Sequence, residues 1–176
     1  ESVRRLIRPD RAWPRYETVH GELLVTPAPG PLHQEIVARL LETLRGYLQR
    51  NRVGHAFVSP ADISWDPDSL VQPDVFVVDL DQARTMEWSQ MTRLLLAIEV
   101  LSPSSARADR FTKRRLYQEA GVGLYWTVDP DARIAEAWTP EATRPEVVTE
   151  RLQWRPEGAA EVFELPLAQL FEQIDS

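Results

Sequence analysis

Cysteine is absent from this 176-residue chain. Disulfides and cysteine-ligated zinc are thereby excluded, and a reducing, cytoplasmic compartment is the natural expectation. Glycine is scarce, at 7 residues, and the phosphate-loop and dinucleotide fingerprints are missing, so a nucleotide cofactor is not expected. A G-x-S-x-G elbow is also missing, and the histidines are His20, His33 and His55 alone. Hydrolysis through a Ser or Cys nucleophile therefore has little support. No apolar run approaches the roughly 18 residues of a membrane span, and no membrane partner is expected. The opening residues Glu1, Ser2, Val3, Arg4 and Arg5 contain no apolar h-region, hence no visible secretory signal. The chain begins at Glu1 rather than Met, which suggests that a few residues precede it.

Lysine is nearly absent as well. Of 20 basic side chains, all but Lys113 are arginine. The two are not interchangeable: Lys is a compact, titratable point charge, whereas Arg is a planar, permanently charged fork. The formal net charge of −7 argues against whole-surface attraction to nucleic acid. Two local stretches are nonetheless basic. Residues 1–15 carry Arg4, Arg5, Arg8, Arg11 and Arg15, and residues 107–115 carry Arg107, Arg110, Lys113, Arg114 and Arg115 against Asp109 alone. Solvated surface would look the same.

The length suits one domain over 1–176, with its own core. Within it, 1–15 reads as a basic arm, 16–140 as the core and 141–176 as C-terminal strands and a short helix. Residues 16–19 and 22–26, joined by His20-Gly21, read as a hairpin. Ile36, Val37, Leu40, Leu41, Leu44, Tyr47 and Leu48 recur at i, i+3, i+4 spacing and predict a helix over about 32–51. Strands are expected at 55–58, 61–65 and 71–78, with a short helix within 80–92. Residues 94–101 form an apolar run broken only by Glu99, the pattern of a central strand buried on both faces. A Ser-capped helix follows at about 106–120, closed by Gly121. Strands at 124–128 and 134–138, edge strands near 147–154 and 160–163, and a short helix from about 167 complete an α/β order.

Glu99 carries the chemistry. An ionised carboxylate in apolar surroundings costs several kcal/mol unless it is paired, so Glu99 is neutral, salt-bridged or bound to a metal. Asp74 follows Pro73 at the entrance of a hydrophobic strand and is its natural companion. Two carboxylates at the ends of adjacent strands suit a hard divalent cation; two ordinary strand-end acids, or a buried ion pair, would look alike. At roughly 100° per residue, Asp109, Lys113, Leu116, Tyr117 and Ala120 share one arc of the following helix. Its apolar members mark the packed face, so the only Lys in the chain is expected to aim inward, near Glu99.

Gln72-Pro73-Asp74, the run from Glu99 to Ser104, then Asp109, Lys113, Tyr117, Gly121-Val122, Tyr125-Trp126 and Asp129-Pro130 together resemble the Uma-type family. Its members are putative restriction endonucleases of the PD-(D/E)XK superfamily. Glu17, Gly21-Glu22-Leu23 and the residues from Pro29 to His33 resemble that family's N-terminal hairpin and first helix. The resemblance covers about residues 16–140. It implies a restriction-endonuclease-like α/β core: a mixed central sheet flanked by helices, with an N-terminal hairpin.

It also implies a divalent-metal-dependent endonuclease acting on DNA, with Asp74 and Glu99 binding Mg²⁺ (or Mn²⁺) and Lys113 as the third catalytic residue. Lys113 would hold or deprotonate a water, or neutralise charge on the phosphorane. In the parent motif the Lys lies two residues after the acid, where this chain has Leu101; the family pattern moves it onto the next helix. Glu22, His33 and Asp109 are further candidates near the site, and Arg107, Arg110 and Arg114 are candidate nucleic-acid contacts. Cutting both strands of a duplex would favour a homodimer. The alternative is a nuclease-fold module, weak or inactive in catalysis, that binds nucleic acid or a protein partner.

Overall fold

The computed structural model describes residues 14–102 and 107–174; residues 1–13, 103–106, 175 and 176, and the side chains of 107–110, lie outside the described residues. A hairpin of β1 (Arg15–Val19) and β2 (Glu22–Thr26) leads into α1 (Pro31–Arg50). Then come β3 (Gly54–Val58), β4 (Ile63–Asp66), β5 (Ser69–Val71), β6 (Val75–Asp79) and the short α2 (Leu80–Arg84). After β7 (Leu94–Val100) and α3 (Arg107–Glu119), the strands β8 (Tyr125–Asp129), β9 (Ile134–Trp138), β10 (Glu146–Val148), β11 (Arg151–Trp154) and β12 (Phe163–Pro166) precede α4 (Leu167–Leu170).

The apolar run around Glu99 becomes β7, inside a six-stranded sheet ordered β10-β9-β8-β7-β6-β3. Its neighbours are β6, antiparallel, and β8, parallel, so the sheet is mixed. The parallel step is possible because α3 returns the chain across the face, as such a connection requires. Alternation then sorts the side chains. Val75 and Val77 of β6, Leu96 and Ile98 of β7, and Trp126 and Val128 of β8 pack under α1. Phe76 and Val78, Ala97, and Tyr125 face the other way, against Leu116 and Tyr117 of α3. The second layer on that side is a four-stranded sheet, β2-β1-β5-β4. Among the described residues no helix is long and apolar enough to cross a membrane.

Local rules explain the elements. His20 (φ 47°) and Gly21 (φ 82°) both take the left-handed conformation that a two-residue hairpin turn demands. α3 ends where Gly121 turns to φ 74°. There the Gly121 and Val122 N–H groups donate to the Gln118 and Tyr117 carbonyls at 3.1 and 3.0 Å, a Schellman motif.

Three expectations are corrected. The strand expected over 71–78 is two strands, because Pro73 lacks the N–H that a ladder needs; β5 joins the smaller sheet and β6 the larger. The segment 147–154 likewise divides between β10 of the large sheet and β11, which pairs with β12. The strand placed at 160–163 lies at Phe163–Pro166, where burial alternates and Phe163 and Leu165 point inward.

Candidate active site

Val75 pairs with Ile98 across β6 and β7, so the next step in register sets Asp74 opposite Glu99. Both lie on the face that α3 covers, and both are buried, at 3% and 7% exposure. Paired carboxylates would repel unless each were provided for. Asp74 is held on both oxygens. Its Oδ1 accepts from an Arg15 guanidinium NH2 group at 3.0 Å, and its Oδ2 accepts from the Val100 backbone N–H at 2.8 Å. His33 Nε2 lies 3.3 Å from Oδ2. Burial alone would raise this carboxyl, but the His33 hydrogen bond and the charges of Arg15, His33 and Lys113 override it and hold it at about 2.

Glu99 is provided for less fully. Its Oε1 receives the Tyr117 hydroxyl at 2.8 Å and meets Lys113 Nζ at 2.5 Å. Burial pushes the carboxyl up to about 7 against the pull of Lys113, and the neighbouring Asp74 and Glu17 charges push the same way. Lys113 is itself 6% exposed. Burial opposes its charge, yet Glu17 first and Glu99 second raise it above the ordinary lysine range. Its Nζ sits 2.8 Å from Glu17 Oε2. The ammonium therefore bridges two carboxylates, one from the large sheet and one from the hairpin.

Asp74, Glu99 and Lys113 thus lie together in one buried cluster, with His33 from the first turn of α1 at its Asp74 side. Glu22 does not join them: it is exposed and lines a shallow cleft with Val19, His20, Phe111, Thr112, Arg115 and Glu119. The pleat is the reason, since in β1 the inward residues are Arg15, Glu17 and Val19, whereas in β2 only Leu24 is buried. Asp109, Arg107 and Arg110 have side chains outside the described residues. Arg114 is half-buried, its guanidinium 4.3 Å from the Trp138 ring centre. Three participants are not among the candidate site residues, although Glu17 and Tyr117 stand in the family pattern. Arg15, grouped there with a basic arm, is 4% exposed and also donates to the Gln72 carbonyl at 2.9 Å. Glu17, at 2% exposure, accepts from the Gln72 N–H at 2.7 Å. Tyr117 reads as a packing residue, yet its hydroxyl donates to Glu99.

Among the described residues, no three His, Cys, Asp or Glu side chains converge as a ready-made metal cage. Two carboxylates with a basic side chain beside them offer hard oxygen donors next to a buried positive charge.

A structure from Anabaena variabilis, described as a putative nuclease belonging to DUF820, superposes with a TM-score of 0.75 over 90% of each chain at 23% identity. That likeness shows the fold. No curated protein matches the chain. The sequence profile of Uma2, described as a putative restriction endonuclease, matches residues 1–168. With nearly the whole chain inside that match, the protein belongs to the Uma2 family of putative restriction endonucleases.

Proposed function

We propose that this chain is a divalent-metal-dependent endonuclease that hydrolyses phosphodiester bonds in DNA, with Asp74, Glu99 and Lys113 as its catalytic residues. The single observation that carries the proposal is Lys113 Nζ at 2.5 Å from Glu99 Oε1, with Asp74 next in register across the strands.

The residues fit a hard cation. Among the described residues, both contacts made by Glu99 fall on Oε1, and burial raises its carboxyl to about 7 against the pull of Lys113. Magnesium characteristically takes one or two carboxylates and leaves its other positions to water and phosphate, so Asp74 and Glu99 are a sufficient protein share for Mg²⁺ or Mn²⁺. Bound there, such a cation supplies Lewis-acid polarisation of a phosphate and a water of lowered pKa. The chain's own groups do the rest. The Val100 N–H, Arg15 and His33 fix Asp74, and Tyr117 orients Glu99. Lys113 places a positive charge where a phosphate would gain negative charge on the way to its transition state.

Purified protein incubated with plasmid, linear duplex and single-stranded DNA in Mg²⁺ or Mn²⁺ tests this. Wild type is expected to cleave, and Lys113→Ala to lose roughly 10²–10³ in rate, as when one preorganised charge donor is removed. No cleavage of any substrate by wild type, or undiminished cleavage by Lys113→Ala, overturns the proposal.

A second reading, a nuclease fold kept for binding, is favoured by one observation: Asp74 is already engaged on both oxygens by Arg15 and Val100. Salt-dependent DNA binding without turnover would select it.

A further inference from the structure

Strand β1 lays two buried charges against the site, and each serves a different catalytic group. Arg15 reaches Asp74 at 3.0 Å. Glu17 uses one oxygen, Oε2, for two partners: the Gln72 backbone N–H at 2.7 Å and Lys113 Nζ at 2.8 Å. Gln72 immediately precedes Pro73-Asp74, so the carboxylate that holds the ammonium also ties down the segment that presents the aspartate.

We propose that Glu17 is the positioning residue of this site, fixing the helix-borne Lys113 in contact with Glu99. The proposal rests on the preceding functional reading only for what Lys113 is used for. A lysine two residues after the acid would be placed by the strand itself, but that position holds Leu101. Lys113 hangs instead from α3 on a flexible four-carbon stem whose rotamers must be restrained from outside. Glu99 alone is an incomplete restraint, because it meets the ammonium from one direction only, and an ammonium has three donors. A second buried carboxylate on the hairpin fixes a second direction, and Glu17, its side chain 1% exposed, supplies it.

The solitary lysine makes the test direct. Acylation of the metal-free, full chain with an N-hydroxysuccinimide ester, followed by peptide mass spectrometry, reports Lys113 without interference from any other lysine. Wild type is expected to react slowly. Glu17→Gln keeps an oxygen for the Gln72 N–H but loses the charge that holds the ammonium. Its Lys113 should acylate at least about tenfold faster, the ratio that about 1.4 kcal/mol of lost restraint gives. Glu17→Asp, which keeps the charge but falls short of both partners, should fall between the two and serves if the Gln variant does not fold. Leu24→Ala, on the strand opposite Glu17, weakens the same hairpin without touching Lys113 and should react as wild type does.

Acylation of both Glu17 variants at the wild-type rate overturns the proposal, as does equal acceleration by Leu24→Ala. If Glu17→Gln frees Lys113 but no protein cleaves DNA, the positioning role stands and the nuclease reading falls. If wild type cleaves and Lys113 stays unreactive in both variants, the reverse holds.

Discussion

At the scale of single residues the site is a problem in charge compensation. Asp74, Glu99 and Glu17 are buried acids, and Arg15 and Lys113 are the buried bases among them. The shortfall appears at Glu99. Its carboxyl moves from 4.5 to about 7, chiefly through burial, so the folded chain holds that proton more tightly than the unfolded chain does. The stability it contributes is complete below about 4.5 and is lost as the pH rises through about 7, by linkage. The amount is on the order of 3 kcal/mol. Asp74 acts in the opposite sense: lowered from 3.8 to about 2, it contributes above 3.8 and ceases to as the pH falls through about 2. Metal-free wild type should therefore lose stability between pH 4.5 and 7 in urea unfolding relative to Glu99→Gln, which should show no such loss. An equally steep loss in Glu99→Gln would show that another group is responsible.

At the scale of elements, the site depends on α3 lying against β7 and β8 at the correct height. Two glycines after α3 set that height in different ways. Gly121 occupies φ 74° with open space around a would-be Cβ, so Gly121→Ala should cost about 1 kcal/mol through backbone conformation alone. Gly123 has no such freedom, because a Cβ there would stand 2.8 Å from the Leu95 carbonyl oxygen. Gly123→Ala must displace β7, the strand that carries Glu99, and should cost about 1–3 kcal/mol as overpacking does. Urea midpoints for the two variants should differ in that order, with cleavage falling further in Gly123→Ala. A smaller loss in Gly123→Ala would mean that β7 gives way without penalty.

For the whole molecule, the proposed cation is also a stability ligand. A species that binds only the folded state at 100 times its dissociation constant adds about 2.7 kcal/mol. Thermal unfolding of wild type should accordingly rise with Mn²⁺ concentration, and the rise should vanish in Asp74→Asn and Glu99→Gln. An identical rise in all three proteins would place the metal elsewhere. The net charge of −7 sets a second condition on the proposal at this scale, since a DNA substrate would have to be attracted locally against an acidic whole.

Much of this was legible in one dimension. Seven apolar residues at helical spacing dictated α1, and an apolar run interrupted once dictated β7 and the burial of Glu99. The shared arc of Lys113, Leu116 and Tyr117 determined which way Lys113 points, because helix geometry alone places residues three and four apart on one face. Those rules are local, and they hold wherever the helix docks. Tertiary structure alone decided the rest. Alternation says that Arg15, Glu17 and Val19 share a face and that Tyr16 and Thr18 share the other, but the pattern is the same whichever face turns inward. Only the docking of β1 beside β5 and under α3 buried the first set, joined Arg15 to Asp74 and Glu17 to Lys113, and left Glu22 in solvent. Charge pairs between residues so distant in the chain have no period to betray them; they exist because folding removes their water and leaves each other as the remaining partner.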